Sequence, residues 1–214
     1  MFTDLVKSAQ AYFPNLKIAY KNESKFMKFI GTLLFFNKAF MTTYITTIGS
    51  TVYFPNAEYV NNNDKEASIV LLHEITHMYD SKKITRPIFT LGYLFPQILF
   101  LLFIPMLFVN WIVALCCLLF ILPIPSPTRM YFEKRGYLVS LYSYNKLGIK
   151  NDQTALKATE TFFESLFKNS AYYFMWVFNI QTSFDKGIAL IEQNKIPFNE
   201  PNLFKMIDEL ISKI

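Results

Sequence analysis

The chain has only two histidines, spaced four residues apart, and a glutamate directly follows the first: His73, Glu74 and His77. In an α-helix, residues i and i+4 lie on one face, so both imidazoles can reach a single metal ion. Glu74 is offset by about 100° in a helix of 3.6 residues per turn, so its carboxylate would stand beside the ion. A carboxylate there can take the proton of a metal-bound water. The spacing therefore predicts metal-assisted hydrolysis with Glu74 as the general base.

The surrounding residues predict that this motif lies on a helix. Residues 61–64 (Asn-Asn-Asn-Asp) supply N-cap residues, and Glu66 follows Asn63 by three, close to a capping-box pattern. Ala67 and the apolar residues 69–72 would bury the helix next to a sheet. The alternative is that two core or surface histidines happen to be spaced by four. The cap, the apolar run and the lack of any other histidine favour the metal-binding interpretation.

The composition favours a membrane surface over nucleic acid as a partner. Hydrophobic residues make up 52% of the 214 residues and charged residues only 17%, against about 25% charged in a typical soluble domain. The formal net charge is +5. The lysines are scattered, with no basic cluster interleaved with stacking aromatics, so a nucleic-acid interface is not expected. A basic and apolar chain fits an anionic lipid surface better.

Residues 87–128 lack Asp, Glu, Lys, Arg and His over 42 positions. A membrane-crossing helix needs about 20 apolar residues, so this stretch is long enough for two short crossings. We predict a helical hairpin, about 87–108 and 111–125, that turns near Asn110. Cys116 and Cys117 fall inside it and are expected to act as small apolar residues, not as metal ligands or a disulfide. The alternative is an apolar hairpin buried in a soluble fold or in an oligomer.

Basic residues flank this stretch on both sides. By the positive-inside rule, both ends of the stretch are expected on the cytoplasmic side of a membrane. The first four residues include an acid and no basic segment before an apolar run, so no secretory signal peptide is expected. The sequence thus predicts three parts: residues 1–86 with the motif helix, the apolar hairpin at 87–127, and a helical part at 128–214.

The remaining patterns predict a mostly helical α+β fold with a small sheet packed on the motif helix. Alternation predicts a strand at 16–20, and a turn at Gly49-Ser50 separates a strand-like stretch at 41–47 from a strand at 51–54. The expected helices lie at about 3–12, 24–36, 128–147, 153–168, 170–178, 182–195 and 201–213.

A third metal ligand must be a carboxylate, because catalytic zinc usually takes three protein ligands and no histidine remains. The candidates are Asp80, Glu133, Asp152, Glu160 and Glu164. Asp80 is too close to His77 on the same helix to reach the same ion without strain, but it can hold an imidazole nitrogen. Glu133 is preferred, with Glu160 next, because Glu133 lies at the start of the first helix after the apolar run.

These residues resemble the glutamate zincins, peptidases that use HExxH and a downstream glutamate on a second helix. Residues 73–80 (His-Glu-Ile-Thr-His-Met-Tyr-Asp) look locally like the active helix of the neprilysin family, although this chain is far too small to be a neprilysin. The arrangement over residues 50–140 is closer to the membrane-bound heat-shock and prenyl-protein protease family. Arg129, Glu133 and Gly136 match its glutamate helix, but Tyr137 stands where that family has Asp.

The resemblance and the residue chemistry together imply a zinc metalloendopeptidase at a membrane. Zn²⁺ would be held by His73, His77 and Glu133, and Glu74 would take the proton of the bound water and pass it to the leaving amine. An oxyanion donor would be Tyr137 or Arg129, since no histidine is free. The strand formed by Thr51, Val52, Tyr53 and Phe54 would pair with an extended peptide or protein substrate.

Two other interpretations stay open at this stage. One is a membrane-anchored binding or structural protein whose zinc site does not turn over a substrate. The other is a soluble peptidase whose apolar hairpin inserts only into a target membrane or partner. Loss of hydrolysis in a Glu74→Gln variant separates a peptidase from the first alternative.

Overall fold

The structure, a computed structural model, describes residues 1–35, 37, 39–150, 152–169 and 172–214. It confirms the mostly helical α+β class with a small three-stranded sheet. The strands are β1 (Lys17–Tyr20), β2 (Thr46–Ile48) and β3 (Thr51–Phe54). The α-helices are α1 (Phe2–Gln10), α2 (Lys25–Leu33), α3 (Ala39–Thr42), α4 (Ala57–Asn62), α5 (Asp64–Ile84), α6 (Arg86–Leu94), α7 (Phe103–Leu107), α8 (Trp111–Leu118), α9 (Pro127–Lys146), α10 (Gln153–Lys168), α11 (Gln181–Glu192) and α12 (Pro201–Ile211).

The sheet has the order β1-β3-β2, so β3 is its central strand. β3 runs parallel to β1 and antiparallel to β2. The β2–β3 turn contains Gly49 at φ +64°, a left-handed conformation that favours glycine. The predicted turn is therefore confirmed, but the expected strand at 41–47 is not: α3 occupies its start and β2 begins only at Thr46.

The motif helix α5 begins after Asn63, as predicted, but not with the expected capping box. The Asn63 side chain donates to the carbonyl of Tyr59 in α4 (3.0 Å), and no side-chain cap bond forms at this helix start. Glu66 instead accepts a hydrogen bond from the Tyr144 hydroxyl in α9. The start of α5 is thus held mainly by contacts from other elements.

One hydrophobic core joins the sheet, α1, α5 and the C-terminal helices. α5 packs along α9, and Leu71, Leu72 and Ile75 are fully buried between neighbouring elements. Burying each such side chain contributes about 1.5–3 kcal/mol. This packing fixes the relative positions of α5 and α9, and with them the side chains that point into the space between the two helices.

The predicted first arm of the hairpin, 87–108, is not one helix. α6 ends at Leu94, and the chain then bends by 89° into a 3₁₀ segment, Gln97–Leu102, that continues as α7. Pro96 explains the break, because the residue before a proline is disfavoured in α-helix and Phe95 is extended at ψ 140°. The turn near Asn110 is confirmed: its side chain accepts hydrogen bonds from the amides of residues 112 and 113 at the start of α8.

Among the described residues, no single helix is both long and apolar enough to cross a membrane. The pair α6 and Gln97–Leu107 passes that test only when its two bent halves are taken together.

The C-terminal helices follow the predicted bounds closely, with one exception. The helix expected at 170–178 is reduced to a 3₁₀ turn, Met175–Val177. Phe174 just before it has φ +56°, a left-handed conformation that interrupts a right-handed helix. Residues 170 and 171 of that prediction, and Phe36 of the one at 24–36, lie outside the described residues.

Candidate metal centre

His73, His77 and Glu133 bring their ligand atoms together in the space between α5 and α9. The Nε2 atoms of His73 and His77 are 3.0 Å apart. Glu133 Oε2 lies 3.4 Å from His73 Nε2, and Glu133 Oε1 lies 3.6 Å from His77 Nε2. All three residues are buried. Within the part of the chain that the structure describes, this is the one group of three or more such side chains that could hold a metal ion.

The spacing of these atoms fits a zinc ion. Bonds of about 2.0–2.2 Å at tetrahedral angles put two ligand atoms about 3.3–3.6 Å apart. The distances from the two Glu133 oxygens to the histidines, 3.4 and 3.6 Å, fall in that range, and the 3.0 Å between the two Nε2 atoms is slightly shorter. Two imidazoles and one carboxylate also match a common ligand set of catalytic zinc.

Gly136 lets α9 approach the first histidine closely. It lies three residues after Glu133, on the same side of the helix. A Cβ atom built on Gly136 would lie 2.6 Å from both Cε1 and Nε2 of His73. Any side chain here would therefore push against the imidazole edge that carries the candidate ligand atom.

Two tyrosines hold the Glu133 carboxylate. The Tyr172 hydroxyl donates to Oε2 (2.7 Å) and the Tyr93 hydroxyl donates to Oε1. Burial by itself raises the pKa of Glu133, but His77, His73 and the Tyr93 hydrogen bond outweigh it and lower that pKa to about 2. Burial and the Glu133 charge raise the pKa of Tyr93 and Tyr172 well above 10. The site thus pairs an ionised carboxylate with two neutral hydroxyl donors.

The two histidines differ electrostatically. Burial lowers the pKa of each ring, but for His73 the hydrogen bond and charge of Glu133 outweigh burial, so its pKa is raised. The pKa of His77 is lowered, because burial dominates and His73 adds repulsion. His77 Nδ1 is buried and has no hydrogen-bond partner among the described residues. His77 is therefore held by packing against Phe89 and Tyr93, not by an acceptor on its second nitrogen.

Glu74 lies beside the three ligand atoms and points toward the sheet. Its Oε2 accepts a hydrogen bond from Thr47 Oγ1 in β2 (2.6 Å). Lys21, which is completely buried, donates to the carbonyl of Phe40 in α3 (2.6 Å) and to that of Tyr44 in the loop before β2 (2.7 Å). Burial lowers the pKa of Lys21 to about 8, although the charge of Glu74 opposes that shift. The loop that leads into β2 is thereby fixed next to Glu74.

The prediction that Thr51, Val52, Tyr53 and Phe54 pair with a substrate is wrong for this sheet. These residues form β3, and both edges of β3 are already hydrogen-bonded, to β1 and to β2. Among the described residues, β2 pairs with β3 alone, so its outer edge can accept another strand, and the Thr47 side chain of this same strand contacts Glu74.

Of the three other residues that were assigned supporting roles, Asp80 and Arg129 have different partners from those expected. Asp80 does not hold an imidazole: it accepts two hydrogen bonds from Arg135 in α9 (2.7 and 2.8 Å) and so joins the two helices. Arg129 donates to the carbonyl of Tyr93 (3.0 Å) and lies over the Tyr93 ring, so it fixes α6. Tyr137 does reach the site, because its ring packs edge-on against His73 with centroids 4.6 Å apart.

The alternative third ligands lie away from the histidines. Asp152 caps α10 by accepting from the amide of Ala155. Glu160 and Glu164 form ion pairs with lysines one turn away on α10. None of the three belongs to the metal-binding group.

Four residues of the site were missed by the sequence analysis: Lys21, Thr47, Tyr93 and Tyr172. Thr47 and Tyr93 lie in segments that were interpreted only as strand or apolar helix, and nothing in their neighbours indicates a polar contact. Lys21 lies directly after β1, and nothing in the residues around it indicates that its side chain is buried. Tyr172 lies in an aromatic run that was interpreted as packing.

Comparisons with protein-family models, with curated proteins and with solved structures find no match to this chain. Its function must therefore be argued from the site itself.

Proposed function

We propose that this protein is a zinc-dependent peptidase of the glutamate-zincin type. The observation that carries the proposal is the meeting of His73, His77 and Glu133 ligand atoms within 4.8 Å of one another. Glu74 beside them supplies the base that a hydrolase needs and a passive zinc site does not.

Each residue has a defined task in this mechanism. Zinc, when bound by the three ligands, supplies a Lewis acid that makes a water molecule acidic enough to react near neutral pH. Glu74 accepts the proton from that water and later donates it to the leaving amine. Thr47 orients the Glu74 carboxylate through its 2.6 Å hydrogen bond.

The outer edge of β2 is the proposed binding site for the substrate. An extended peptide that pairs with this edge would lie along the strand whose Thr47 contacts Glu74. Backbone pairing is largely independent of side-chain identity, which fits hydrolysis of unfolded protein chains.

The test combines metal analysis with hydrolysis of an unfolded protein such as casein. Wild-type protein is expected to carry about one zinc per chain, and Glu74→Gln should keep the zinc and lose hydrolysis. Glu192→Gln is the matched control, since Glu192 is an exposed acid at the end of α11. Full hydrolysis by Glu74→Gln, or a folded protein without transition metal after zinc supplementation, would contradict the proposal.

A zinc site without catalysis is the second candidate, and one observation favours it. His73, His77 and Glu133 are only 7%, 8% and 2% exposed. Phe89 and Tyr93 of α6 pack against His77, and Tyr93 also donates to Glu133. If the site is non-catalytic, zinc removal should lower the melting temperature, and neither the wild type nor Glu74→Gln should hydrolyse casein. For the peptidase, α6 must move aside when substrate binds.

A further inference from the structure

The segment Gln97–Ile121, here called the apolar hairpin, exposes a large apolar surface. Three large apolar side chains at its tip are strongly exposed: Phe108 at 88%, Val109 at 75% and Trp111 at 64%. Large apolar surfaces of this kind mark sites of interaction with a partner or a membrane. The segment carries no charged residue.

The exposed side chains surround both arms instead of forming one stripe. Residues 100–102 and 111–113 are consecutive and all exposed, and consecutive residues in a helix point in different directions. The buried residues of α8 are the small Ala114 and Cys117, three apart on one face, and α8 packs against α7. A helix that is apolar all round fits an apolar solvent, whereas a protein partner or second copy would cover one face.

Side-chain hydrogen bonds satisfy backbone groups at both ends of the hairpin. At the tip, Asn110 accepts hydrogen bonds from two amides that the start of α8 would otherwise leave free. At the base, the Gln97 side chain donates to the carbonyl of Ile124 (2.7 Å) and ties the two arms together. Paired backbone groups are required in hydrocarbon, where water cannot satisfy them.

We propose that the apolar hairpin inserts into one face of a lipid bilayer and leaves by the same face. Each arm has about 11 residues of α- and 3₁₀-helix and measures roughly 18–20 Å. This length suits the acyl region of one leaflet, which is about 15 Å deep. The net charge of +5 would add attraction to anionic lipid. The proposal is independent of the metal site, since no residue of the hairpin belongs to it.

The chain has two tryptophans, and one of them lies at the hairpin tip, which permits a direct measurement of depth. In Trp176→Phe, Trp111 is the only tryptophan. With vesicles of phosphatidylcholine and phosphatidylglycerol, its emission should shift to the blue, and lipids brominated on the acyl chains should quench it. Unchanged emission without quenching would overturn the proposal.

Vesicle flotation then tests whether the tip is responsible. The double variant Val109→Glu/Ile112→Glu should lower the vesicle-bound fraction at least tenfold, because charged groups enter hydrocarbon poorly. Phe162→Glu/Val177→Glu is the matched control: it adds the same two charges at side chains that are 58% and 52% exposed outside the hairpin, and it should leave binding unchanged. Circular dichroism verifies that each variant is folded. Binding that survives the double variant, or a double variant that only converts an oligomer to a monomer, would refute lipid insertion.

Discussion

A single methyl group added at Gly136 should separate metal affinity from stability. The Cβ of Gly136→Ala would lie 2.6 Å from His73 Nε2, and the ring must retreat by about 0.8 Å to reach ordinary contact at 3.4 Å. Zinc–ligand distances tolerate only about ±0.2 Å. We therefore expect zinc affinity to fall by about 10- to 100-fold, as it does when ligand orientation is disturbed.

The same change should lower the free energy of unfolding by about 0–2 kcal/mol. Overpacking costs about 1–3 kcal/mol, while replacing glycine by alanine inside a helix contributes about 1 kcal/mol. Zinc affinity is measured by competition with a chromophoric chelator, and stability by the melting temperature of the zinc-free protein. A folded Gly136→Ala protein that binds zinc within twofold of wild type would refute the assignment of His73 Nε2 as a ligand.

Gly92→Ala in α6 provides the matched control. A Cβ at Gly92 would meet only Thr128 Cβ at 3.9 Å, an ordinary contact. This variant should gain the helix contribution of about 1 kcal/mol, raise the melting temperature by about 2–4 °C, and leave zinc affinity unchanged. Lower zinc affinity in both variants would show that the effect is not specific to His73.

Two further predictions concern the ion pair between α5 and α9 and the protonation of the two histidines. Asp80→Asn leaves the buried Arg135 without its main partner and should lower the free energy of unfolding by about 3 kcal/mol in chemical denaturation. The control Asp185→Asn removes an exposed ion pair and should cost less than about 1 kcal/mol. Equal losses in the two variants would contradict the role of Asp80 in joining α5 to α9. Zinc binding should weaken by about tenfold per pH unit below the His73 pKa, which is raised above 6.5, because zinc must displace a proton there. At pH 6.5, His73 is more than half protonated because its pKa is raised, and His77 is less than half protonated because its pKa is lowered. Calorimetry in buffers of different ionisation enthalpy should therefore show proton release when zinc binds at pH 6.5, and the absence of any release would contradict the assignment.

The local sequence was sufficient to predict the motif helix and the common face of its two histidines. His73 and His77 share a face because the helical period alone relates residues four apart, whatever the rest of the chain does. The turn at Asn110 could also be predicted, because a polar residue in the middle of an apolar run is favoured at a turn over the interior of an apolar helix. Glu133 was preferred from its position at the start of a helix, and the structure puts it with the two histidines.

The strand order and the roles of the supporting residues were decided only by the tertiary structure. β3 lies in the centre of the sheet because β1 pairs with it from a distant part of the chain, which no alternation pattern within β3 reveals. Asp80 bonds Arg135 instead of a histidine because α9 presents a bidentate donor at that position. Helical spacing fixes what lies on one face of one element. The partner that meets that face depends on how several elements pack at once, so a local pattern does not encode it.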